Sequence, residues 1–553
     1  MINNKAFYTI IILCVITYLL AMFMIPLMDV DASQYASISR EMLERKSFLQ
    51  IYDQGADYLD KPPLLFWLSA ASMYVLGIHD WAYRLPSIIT LLVAILATYR
   101  FAKIYYEENI ARLSAMILAS SQAIFLMAHD VRTDTMLMGW VMLSIWQLAT
   151  WFKTNKWVHF LVGFAAIGAG MITKGPVALM VPGFAFSFHF FIQRNWKQFF
   201  RWEYLIGICI IAILLIPMCI GLYQQYDLHP GKLINGIPIQ SGLRFYFWTQ
   251  SFGRYTGENF YHEMSYFTFL LENMLWSFLP WIIFFLIGIG IAFWQLFRFK
   301  KDLQPEWISF GGFVLTYCIL AKSQAQLPHY IFVVFPLASV LTAKYVSALF
   351  FKNQFPIVKK ISIPLHLFIF TILWVAVAVL TYIPFNTIPR FIPFIAITGL
   401  PIMWIIFFSK KYSLPPLLET AFFTVIGVNI FLVTAFYPNL LKYQMGNDAS
   451  QFIEKNHINK DQVSMFQIHN SNALHFYGNH IFPVNNKLAS YKTGDILITV
   501  KDSAHKILNL YPNSKILHEG PNYAVSVLSA EFLNPSTRAK TLPTYVMIQL
   551  GSK

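Results

Sequence analysis

Charged residues are scarce in this 553-residue sequence, at 12% of the total, compared with about a quarter in soluble domains. Hydrophobic residues make up 57%, which excludes an ordinary soluble protein and predicts a membrane protein. Cysteine is also rare, and Cys14, Cys209, Cys219 and Cys318 all fall inside apolar runs. We interpret them as buried hydrophobic side chains, which excludes a disulfide framework or a cysteine metal cluster. The first apolar run, 7–26, lacks an obvious small-residue cleavage site, so we expect it to remain as an anchor.

The formal net charge of +14 is compatible with nucleic-acid binding only if the basic residues form a patch. Instead, lysine and arginine cluster in short loops between apolar runs, where such residues orient a membrane protein. We therefore exclude nucleic acid as a partner. The aromatic content of 17% is typical of membrane interfaces, although helix packing explains it equally well.

Apolar runs suited to spanning helices, which need about 20 residues each, predict about thirteen transmembrane helices. They lie at 7–27, 84–104, 110–128, 134–152, 157–173, 175–192, 204–223, 266–297, 307–320, 328–350, 361–383, 391–409 and 416–437. The basic loops mark the cytoplasmic side. If the short apolar segment Pro62–Gly77 also crossed, every later loop would invert. We therefore predict that it lies along or dips into the outer leaflet, which places the C terminus outside.

The composition becomes polar and mixed after Pro438. Strand-like runs occur at 463–468, 496–500 and 524–528, and a helix is predicted near 449–456. We predict an α-helical polytopic membrane domain over 1–438, with outer loops 28–83 and 224–264. A small extramembrane α/β domain over 439–553 follows it on the outer side.

Two acidic motifs lie in the first outer loop. Asp29 and Asp31 follow the first span, where carboxylates are costly to desolvate and indicate function. From spacing alone, capping of an amphipathic helix by Asp31 or Ser33 is the favoured alternative. Further on, Lys61 in Tyr58-Leu-Asp-Lys-Pro-Pro-Leu has a charge suited to a phosphate. A snorkelling lysine beside a capping Asp60 is an equal alternative.

A second charged segment precedes the span at 134–152. Asp130, Arg132 and Asp134 lie close to hydrocarbon, which slightly favours a mutually paired polar site over simple capping by Asp134. Lys174 and His329 are basic residues on the predicted outer side, against the positive-inside trend. Anion binding and ordinary tolerance both explain them.

The second outer loop contributes further basic residues. Arg244 and Arg254 have planar guanidinium groups suited to phosphate, and His262 is a possible metal ligand. A lone histidine is more often a polar surface residue.

In this order the segments resemble the GT-C membrane glycosyltransferases of the protein O-mannosyltransferase superfamily, especially the lipid A aminoarabinose transferase branch. The matching segments are Asp31 in Asp-Ala-Ser-Gln-Tyr, Tyr58-Leu-Asp-Lys-Pro-Pro-Leu, Arg132-Thr-Asp, Thr173-Lys-Gly-Pro, Arg244 to His262, Leu279-Pro-Trp and Leu327-Pro-His-Tyr-Ile. The resemblance covers nearly the whole chain.

The resemblance implies inverting transfer of a sugar from a polyprenyl-phosphate donor to lipid A, another glycolipid, a polysaccharide or a protein. It assigns Asp31 as general base and Asp134 as a second carboxylate that orients substrate or base. The donor-binding residues that it implies are Lys61, Arg254, Lys174, Tyr35 and Tyr58. These would stabilise the phosphate leaving group.

The resemblance also suggests a divalent metal, provisionally zinc, between Asp60 and His262, and no nucleotide cofactor. Two ligands make only a weak metal site. Ala32 and Gln34 depart from the family pattern, in which glutamate or glycine and arginine are common at these positions. The donor sugar therefore stays open.

We expect a monomer in the bacterial inner membrane, with the active site and the C-terminal domain on the periplasmic side. The main alternative is a transporter or flippase of a lipid-linked or anionic substrate. Transporters generally show internal repeats and sites near the midplane, whereas the charged groups here gather in outer loops. A sensor or scaffold would leave these charged clusters without a role.

Overall fold

The computed structural model describes residues 2–234, 236–256, 258, 266–298, 305–385, 391–409 and 414–552, with Arg254, Tyr255 and Phe391 described by their backbone alone. The helices up to residue 222 are α1 (Asn4–Met24), α2 (Asp31–Arg45), α3 (Leu64–Leu76), α4 (Asp80–Tyr105), α5 (Glu108–Ser120), α6 (Gln122–His129), α7 (Thr133–Thr154), α8 (Trp157–Lys174), α9 (Val177–Ile192) and α10 (Glu203–Leu222). The following helices are α11 (Gly242–Arg244), α12 (Gly253–Thr256), α13 (Phe269–Ser277), α14 (Ile282–Phe297), α15 (Ile308–Leu320), α16 (Phe335–Phe350), α17 (Pro356–Tyr382), α18 (Phe391–Phe408) and α19 (Pro416–Phe431).

The C-terminal part is mixed. Its helices are α20 (Tyr437–Leu440), α21 (Met445–Lys455), α22 (Asn472–Tyr477), α23 (Lys501–Leu510), α24 (Ala530–Leu533) and α25 (Pro535–Thr541). The strands of the whole chain are β1 (Tyr52–Asp53), β2 (Ala56–Asp57), β3 (Lys232–Ile234), β4 (Ile237–Ile239), β5 (Val463–Met465), β6 (Ile496–Val500), β7 (Lys515–Pro521) and β8 (Thr544–Gln549).

The helical bundle agrees with the predicted spans. Eight helical segments in the described ranges are long and apolar enough to cross a membrane, and the pair α5 and α6 makes a ninth if it counts as one span. The shorter apolar helices α9, α14, α15 and α18 match the remaining predictions. Each of the thirteen predicted spans therefore has a helical counterpart.

Two spans are less regular than predicted. The run at 110–128 is bent by 53° between α5 and α6, and the run at 266–297 divides into α13 and α14. At the first bend, Trp281 donates a hydrogen bond to the hydroxyl of Ser120 at 2.9 Å. Hydrophobicity alone predicts an apolar run, but it does not predict where a helix turns.

The segment Pro62–Gly77 forms the short helix α3, as predicted. Its 13 residues correspond to about 20 Å of helix, which is too short to span a hydrocarbon core of about 30 Å. It packs against α2 and α4, while Tyr74 and Val75 near its end are exposed. The helix is therefore too short to be a span, and it packs on α2 and α4 within the segment 28–83.

Several basic loops meet at one end of the bundle. Arg112 donates a hydrogen bond to the carbonyl of Ile2 at 2.7 Å, and Lys352 pairs with Glu107 at 2.7 Å. Helix α1 starts at this end, so the loop that follows it lies at the other end with the start of α7. The acidic motifs and these basic loops are therefore separated by the length of the bundle.

The four C-terminal strands form one sheet in the order β5-β6-β8-β7, in which β5 and β6 are parallel and the other pairs are antiparallel. Alternating residues of β6 and β8 enter two separate hydrophobic clusters, one on each face. Helix α21 covers one face and α23 the other. We call residues 439–552 the C-terminal unit.

The strand predicted at 524–528 is wrong. These residues form no strand, and the sheet uses β7 and β8 instead. Val525 is buried with Phe532 in the hydrophobic cluster of the membrane helices. The apolar run therefore anchors the C-terminal unit to the bundle, a role that strand propensity does not distinguish from pairing.

Candidate active site

The first carboxylate of the site is Asp31, the first residue of α2. Arg132, in the link between α6 and α7, donates to its Oδ2 at 2.5 Å, and to Oδ2 of Asp130 at 3.0 Å. Burial lowers the pKa of Arg132, but the two carboxylates outweigh this effect and hold it above its ordinary value. No side chain caps α2, whose N-cap residue is Val30. The carboxylate of Asp31 is therefore directed to an ion pair rather than to helix capping.

The second carboxylate is Asp134, in the first turn of α7. Its Oδ1 accepts from the ammonium of Lys174, and its Oδ2 lies 3.6 Å from Nε2 of His329. Only 3% of the Asp134 side chain is exposed. Lys174 ends α8, where Gly175 adopts a φ of 115° that favours glycine. The close of that helix therefore sets the position of the lysine.

His329 connects the two ion pairs. Its Nδ1 lies 3.4 Å from Nη1 of Arg132, while Nε2 faces Asp134. An arginine can only donate, so the tautomer that fits has Nδ1 as acceptor and the proton on Nε2. Asp31, Arg132, His329, Asp134 and Lys174 thus form one continuous polar network.

A third charged pair comes from the Tyr58-Leu-Asp-Lys-Pro-Pro-Leu motif. Lys61 donates to Oδ2 of Asp60 at 2.7 Å, and Gln250 donates to Oδ1 of the same carboxylate at 2.7 Å. Gln250 also donates to the Asp60 carbonyl at 2.9 Å. The amide of Gln250 therefore links the second long loop to the first.

These groups surround two adjoining cavities. The polar cavity has a volume of about 140 Å³, and its walls include Asp31, Tyr35, Lys61, Arg132, Asp134 and His329. The apolar groove is larger, at about 480 Å³, and its walls include Leu137, Val177, Leu179, Met180, Phe184 and Ile319. Both have Asp60, Lys61, Asp134 and Tyr330 in their walls. We call these shared residues the charged junction, because three of the four are charged and they lie where the polar cavity meets the apolar groove.

Two tyrosines, Tyr35 and Tyr330, contribute to the wall of the polar cavity. Burial raises the pKa of Tyr35 well above its ordinary value, and Asp31 and Asp60 raise it further. The phenol is therefore protonated and available as a hydrogen-bond donor. The Tyr330 ring lies at the junction, with the ammonium of Lys174 at 4.3 Å from its centroid.

The structure brings most of the predicted residues together. Asp31, Asp134, Lys61 and Tyr35 line the polar cavity, and Lys174 lines the apolar groove. Tyr58 is buried edge-on against Phe66 and is not among the residues that line either cavity.

Two predicted residues fall outside what the structure describes. The backbone of Arg254 belongs to α12, but its side chain lies outside the described atoms, as does the whole of His262. The donor-binding role of Arg254 therefore stays a prediction.

Sequence reasoning missed some members of the site. Arg132 was predicted only as a member of a paired polar site with the charges at 130 and 134, and anion binding and ordinary tolerance were both left open for His329. Gln250 gave no signal, because its partner lies 190 residues away. Tyr330 belongs to the matching segment Leu327-Pro-His-Tyr-Ile, but no role was predicted for it.

The proposed metal position does not have a suitable ligand set in the described part of the chain. Asp60 already accepts from Lys61 and Gln250, and the described residues contain no group of three or more potential ligands. Structural and catalytic zinc sites use at least three protein ligands. Since His262 is outside the described residues, the metal stays a prediction, and no step below is derived through it.

Comparisons with known proteins extend these observations. Residues 60–220 match the family model described as dolichyl-phosphate-mannose-protein mannosyltransferase. Over 374 residues, or 65% of this chain, the sequence is 25% identical to an undecaprenyl phosphate-alpha-4-amino-4-deoxy-L-arabinose arabinosyl transferase of Wigglesworthia glossinidia brevipalpis. The chain covers 63% of the length of that relative.

Solved structures with the same fold cover more of the chain. ArnT from Cupriavidus metallidurans bound to undecaprenyl phosphate has a TM-score of 0.72 at 16% identity, covering 98% of each chain. The apo oligosaccharyltransferase of Archaeoglobus fulgidus has a TM-score of 0.52 at 10% identity, covering 89% of this chain and 66% of that one. The predicted resemblance and fold class are confirmed: this is a multi-pass membrane protein with a GT-C fold and a small C-terminal sheet.

Proposed function

We propose that this protein is an inverting glycosyltransferase that moves a sugar from a polyprenyl-phosphate donor to an envelope acceptor. The observation that carries the proposal is the charged junction between the polar cavity and the apolar groove. A polyprenyl-phosphate sugar has the same division, with a polar head, an anionic phosphate and a long apolar chain. The relatives named above that act on or bind undecaprenyl phosphate support this donor class.

The phosphate is expected at the junction. Lys61 lines both cavities and Lys174 lines the groove, so a phosphate there meets two ammonium groups. Negative charge on the phosphate rises as the glycosyl bond breaks, and fixed cations stabilise that charge more in the transition state than in the ground state. The isoprenoid chain then occupies the groove, and the sugar occupies the polar cavity.

Asp31 is the better placed of the two carboxylates to act as general base. Asp134 is buried and engaged on both oxygens by Lys174 and His329, whereas 35% of the Asp31 side chain is exposed. Arg132 occupies Oδ2 of Asp31, and its other oxygen accepts no hydrogen bond within the described residues. That oxygen can take the proton of an acceptor hydroxyl as the hydroxyl attacks the sugar.

The orientation belongs to the same proposal. The basic loops that meet at the far end of the bundle favour the cytoplasm for that end. The cavities and the C-terminal unit then face the periplasm of a bacterial inner membrane. A lipid-linked donor, after presentation at the outer leaflet, would reach the site laterally through the groove.

The test uses purified full-length protein with undecaprenyl-phosphate sugars of several kinds and with lipid A, glycan and protein acceptors, read by mass spectrometry. We expect transfer with one donor, and we expect Asp31→Asn to reduce turnover by about 10²-fold or more, the usual scale of general-base catalysis. Donor binding should persist in this variant. Unchanged turnover would remove Asp31 as the base, and vesicle transport of a lipid-linked substrate without sugar transfer would favour a transporter.

A further inference from the structure

The C-terminal unit supplies hydrogen-bond partners to the backbone of the short loop that leads into α2 and Asp31. The amide of Leu27 donates to the hydroxyl of Tyr477 at 2.7 Å, and the carbonyl of Leu27 accepts from Gln444 at 3.0 Å. The amide of Asp29 donates to Oε1 of Gln444 at 2.9 Å. Backbone groups shielded from water need such partners, so this loop depends on residues more than 400 positions away.

The side chain of Asp29 is also bonded to the C-terminal unit. Its Oδ2 accepts from the hydroxyl of Ser471 at 2.7 Å. Its Oδ1 accepts from the amide of Ala473 at 2.9 Å and from the hydroxyl of Ser33 at 2.5 Å. Three donors on one half-buried carboxylate fix its position and, through it, the chain leading into α2.

Helix α2 continues the same contact. Ser37 donates to the carbonyl of Asn472 at 3.0 Å, and Arg40 donates to the carbonyl of His475 at 2.8 Å. Both acceptors lie in or at the start of α22. The second and third turns of α2 are therefore bonded to the C-terminal unit, one residue in each turn.

The two faces of α2 have different tasks. At 3.6 residues per turn, Ser33, Ser37 and Arg40 project to one side, while Asp31 and Tyr35 project about 170° away from them. On the first side Ser37 and Arg40 donate to the C-terminal unit and Ser33 donates to Asp29, while the second side lines the polar cavity. The helix is thus held from behind while it presents its carboxylate to the cavity.

We propose that Asp29 is a positioning residue through which the C-terminal unit holds Asp31 in place for proton transfer. Asp29 is not among the residues that line the polar cavity, so it acts through Asp31 rather than on the substrate. The inference rests on the proposed function for its kinetic part, but the contact itself can be measured without a donor. It gives the C-terminal unit an indirect role in catalysis, through the position of Asp31.

The kinetic test compares Asp29→Asn and Ser471→Ala with a matched control, Ser503→Ala. Ser503 lies in the same unit and donates to Gln467 at 2.8 Å, remote from the loop. We expect both loop variants to reduce kcat, with Asp29→Asn lower by about 10- to 100-fold, the scale reported for misplaced reacting groups. The donor KM should stay within about twofold, because the phosphate site is untouched. Ser471→Thr retains the hydroxyl and should recover most of the turnover.

A double variant and a second measurement separate positioning from general damage. Asp29→Asn combined with Ser471→Ala should be no slower than Asp29→Asn alone, because both substitutions act on the same contact between Asp29 and Ser471. Hydrogen exchange of residues 27–35 should accelerate in both loop variants but not in Ser503→Ala. If Asp29→Asn does not fold, Ser471→Ala and Ser471→Thr provide the same comparison.

Three results would overturn the proposal: kcat of Asp29→Asn within about twofold of wild type, an equal loss in Ser503→Ala, or unchanged exchange of 27–35 in the loop variants. Absence of sugar transfer by the wild-type protein would instead refute the proposed function. In that case the exchange measurement still decides whether the C-terminal unit holds the loop.

Discussion

The ion pair between Asp134 and Lys174 allows stability and donor binding to be separated by mutation. Asp134 is 3% exposed and Lys174 is 16% exposed, so the pair is largely shielded from water. Replacing Lys174 by methionine keeps the length of the side chain but leaves a buried carboxylate without its ammonium partner, with His329 still 3.6 Å from its other oxygen. Breaking a buried pair by removing one partner costs about 3–5 kcal/mol, and the remaining histidine favours the lower end, about 3 kcal/mol.

The double variant should recover part of this loss. In Lys174→Met with Asp134→Asn, neither member of the pair is charged, so we expect a coupling energy of about 1–3 kcal/mol between the two changes. Donor affinity should not recover, because the ammonium that faces the phosphate is still missing. Recovery of stability without recovery of donor binding is the distinctive outcome.

The assay is SDS-induced unfolding in mixed micelles for the four proteins of the cycle, with donor binding measured by titration of the same samples. His159→Ala, which removes a hydrogen bond between the ring and Gln147 at 2.6 Å remote from the cavities, serves as control. Additive losses of stability would refute the ion pair as the structure has it. Full donor affinity in the double variant would remove Lys174 from the phosphate site.

Two further predictions concern Lys61 and Asp53. Lys61→Ala should weaken binding of a polyprenyl phosphate by about 10- to 100-fold, the equivalent of about 1.5–3 kcal/mol for a charged hydrogen bond. The control Lys322→Ala, at an exposed lysine, should leave the affinity unchanged. Equal affinities for both variants would contradict a phosphate site at the charged junction. Burial raises the pKa of Asp53 from 3.8 to about 6, although a hydrogen bond from Gln34 lowers it, so the folded protein retains a proton that the unfolded chain loses. The free energy of unfolding should therefore fall by on the order of 1–3 kcal/mol as the pH rises from about 4 to about 6. Above about pH 6 it should stay at this lower level. Asp53→Asn should flatten this profile when apparent Tm is measured in detergent between pH 4 and 8, and an unchanged slope would show that another group is responsible.

Much of the bundle was predictable because hydrocarbon imposes strict requirements on a chain. A spanning helix must satisfy its own backbone and present apolar side chains, so scarcity of charge and length of run were sufficient to predict thirteen helices. The same logic limited charged residues to the ends of the spans. Asp31, Asp134, Lys61 and Lys174 stood out there because a charge beside hydrocarbon needs a reason.

The C-terminal unit was harder to predict, since water tolerates many patterns. Helix α21 and strands β5 and β6 were predicted correctly, but β7 and β8 were missed and the run at 524–528 was assigned wrongly. Strand propensity reflects burial on a pleated surface, and Val525 meets that requirement by packing on the membrane helices. The burial of Val525 therefore depends on contacts with the membrane helices that form only in the folded protein.

The sequence by itself determined the class of environment, the number of spans and the charged residues at their ends, because these depend on the transfer of each segment from water to hydrocarbon. Only the tertiary structure decided the pairings: Arg132 with Asp31, Lys174 with Asp134, Gln250 with Asp60 and Ser471 with Asp29. Pair energies depend on distance and burial, and neither quantity exists until distant segments meet. The sequence shows Asp29 only as one more acidic residue after the first span. Its proposed role depends on contacts with residues more than 440 positions away.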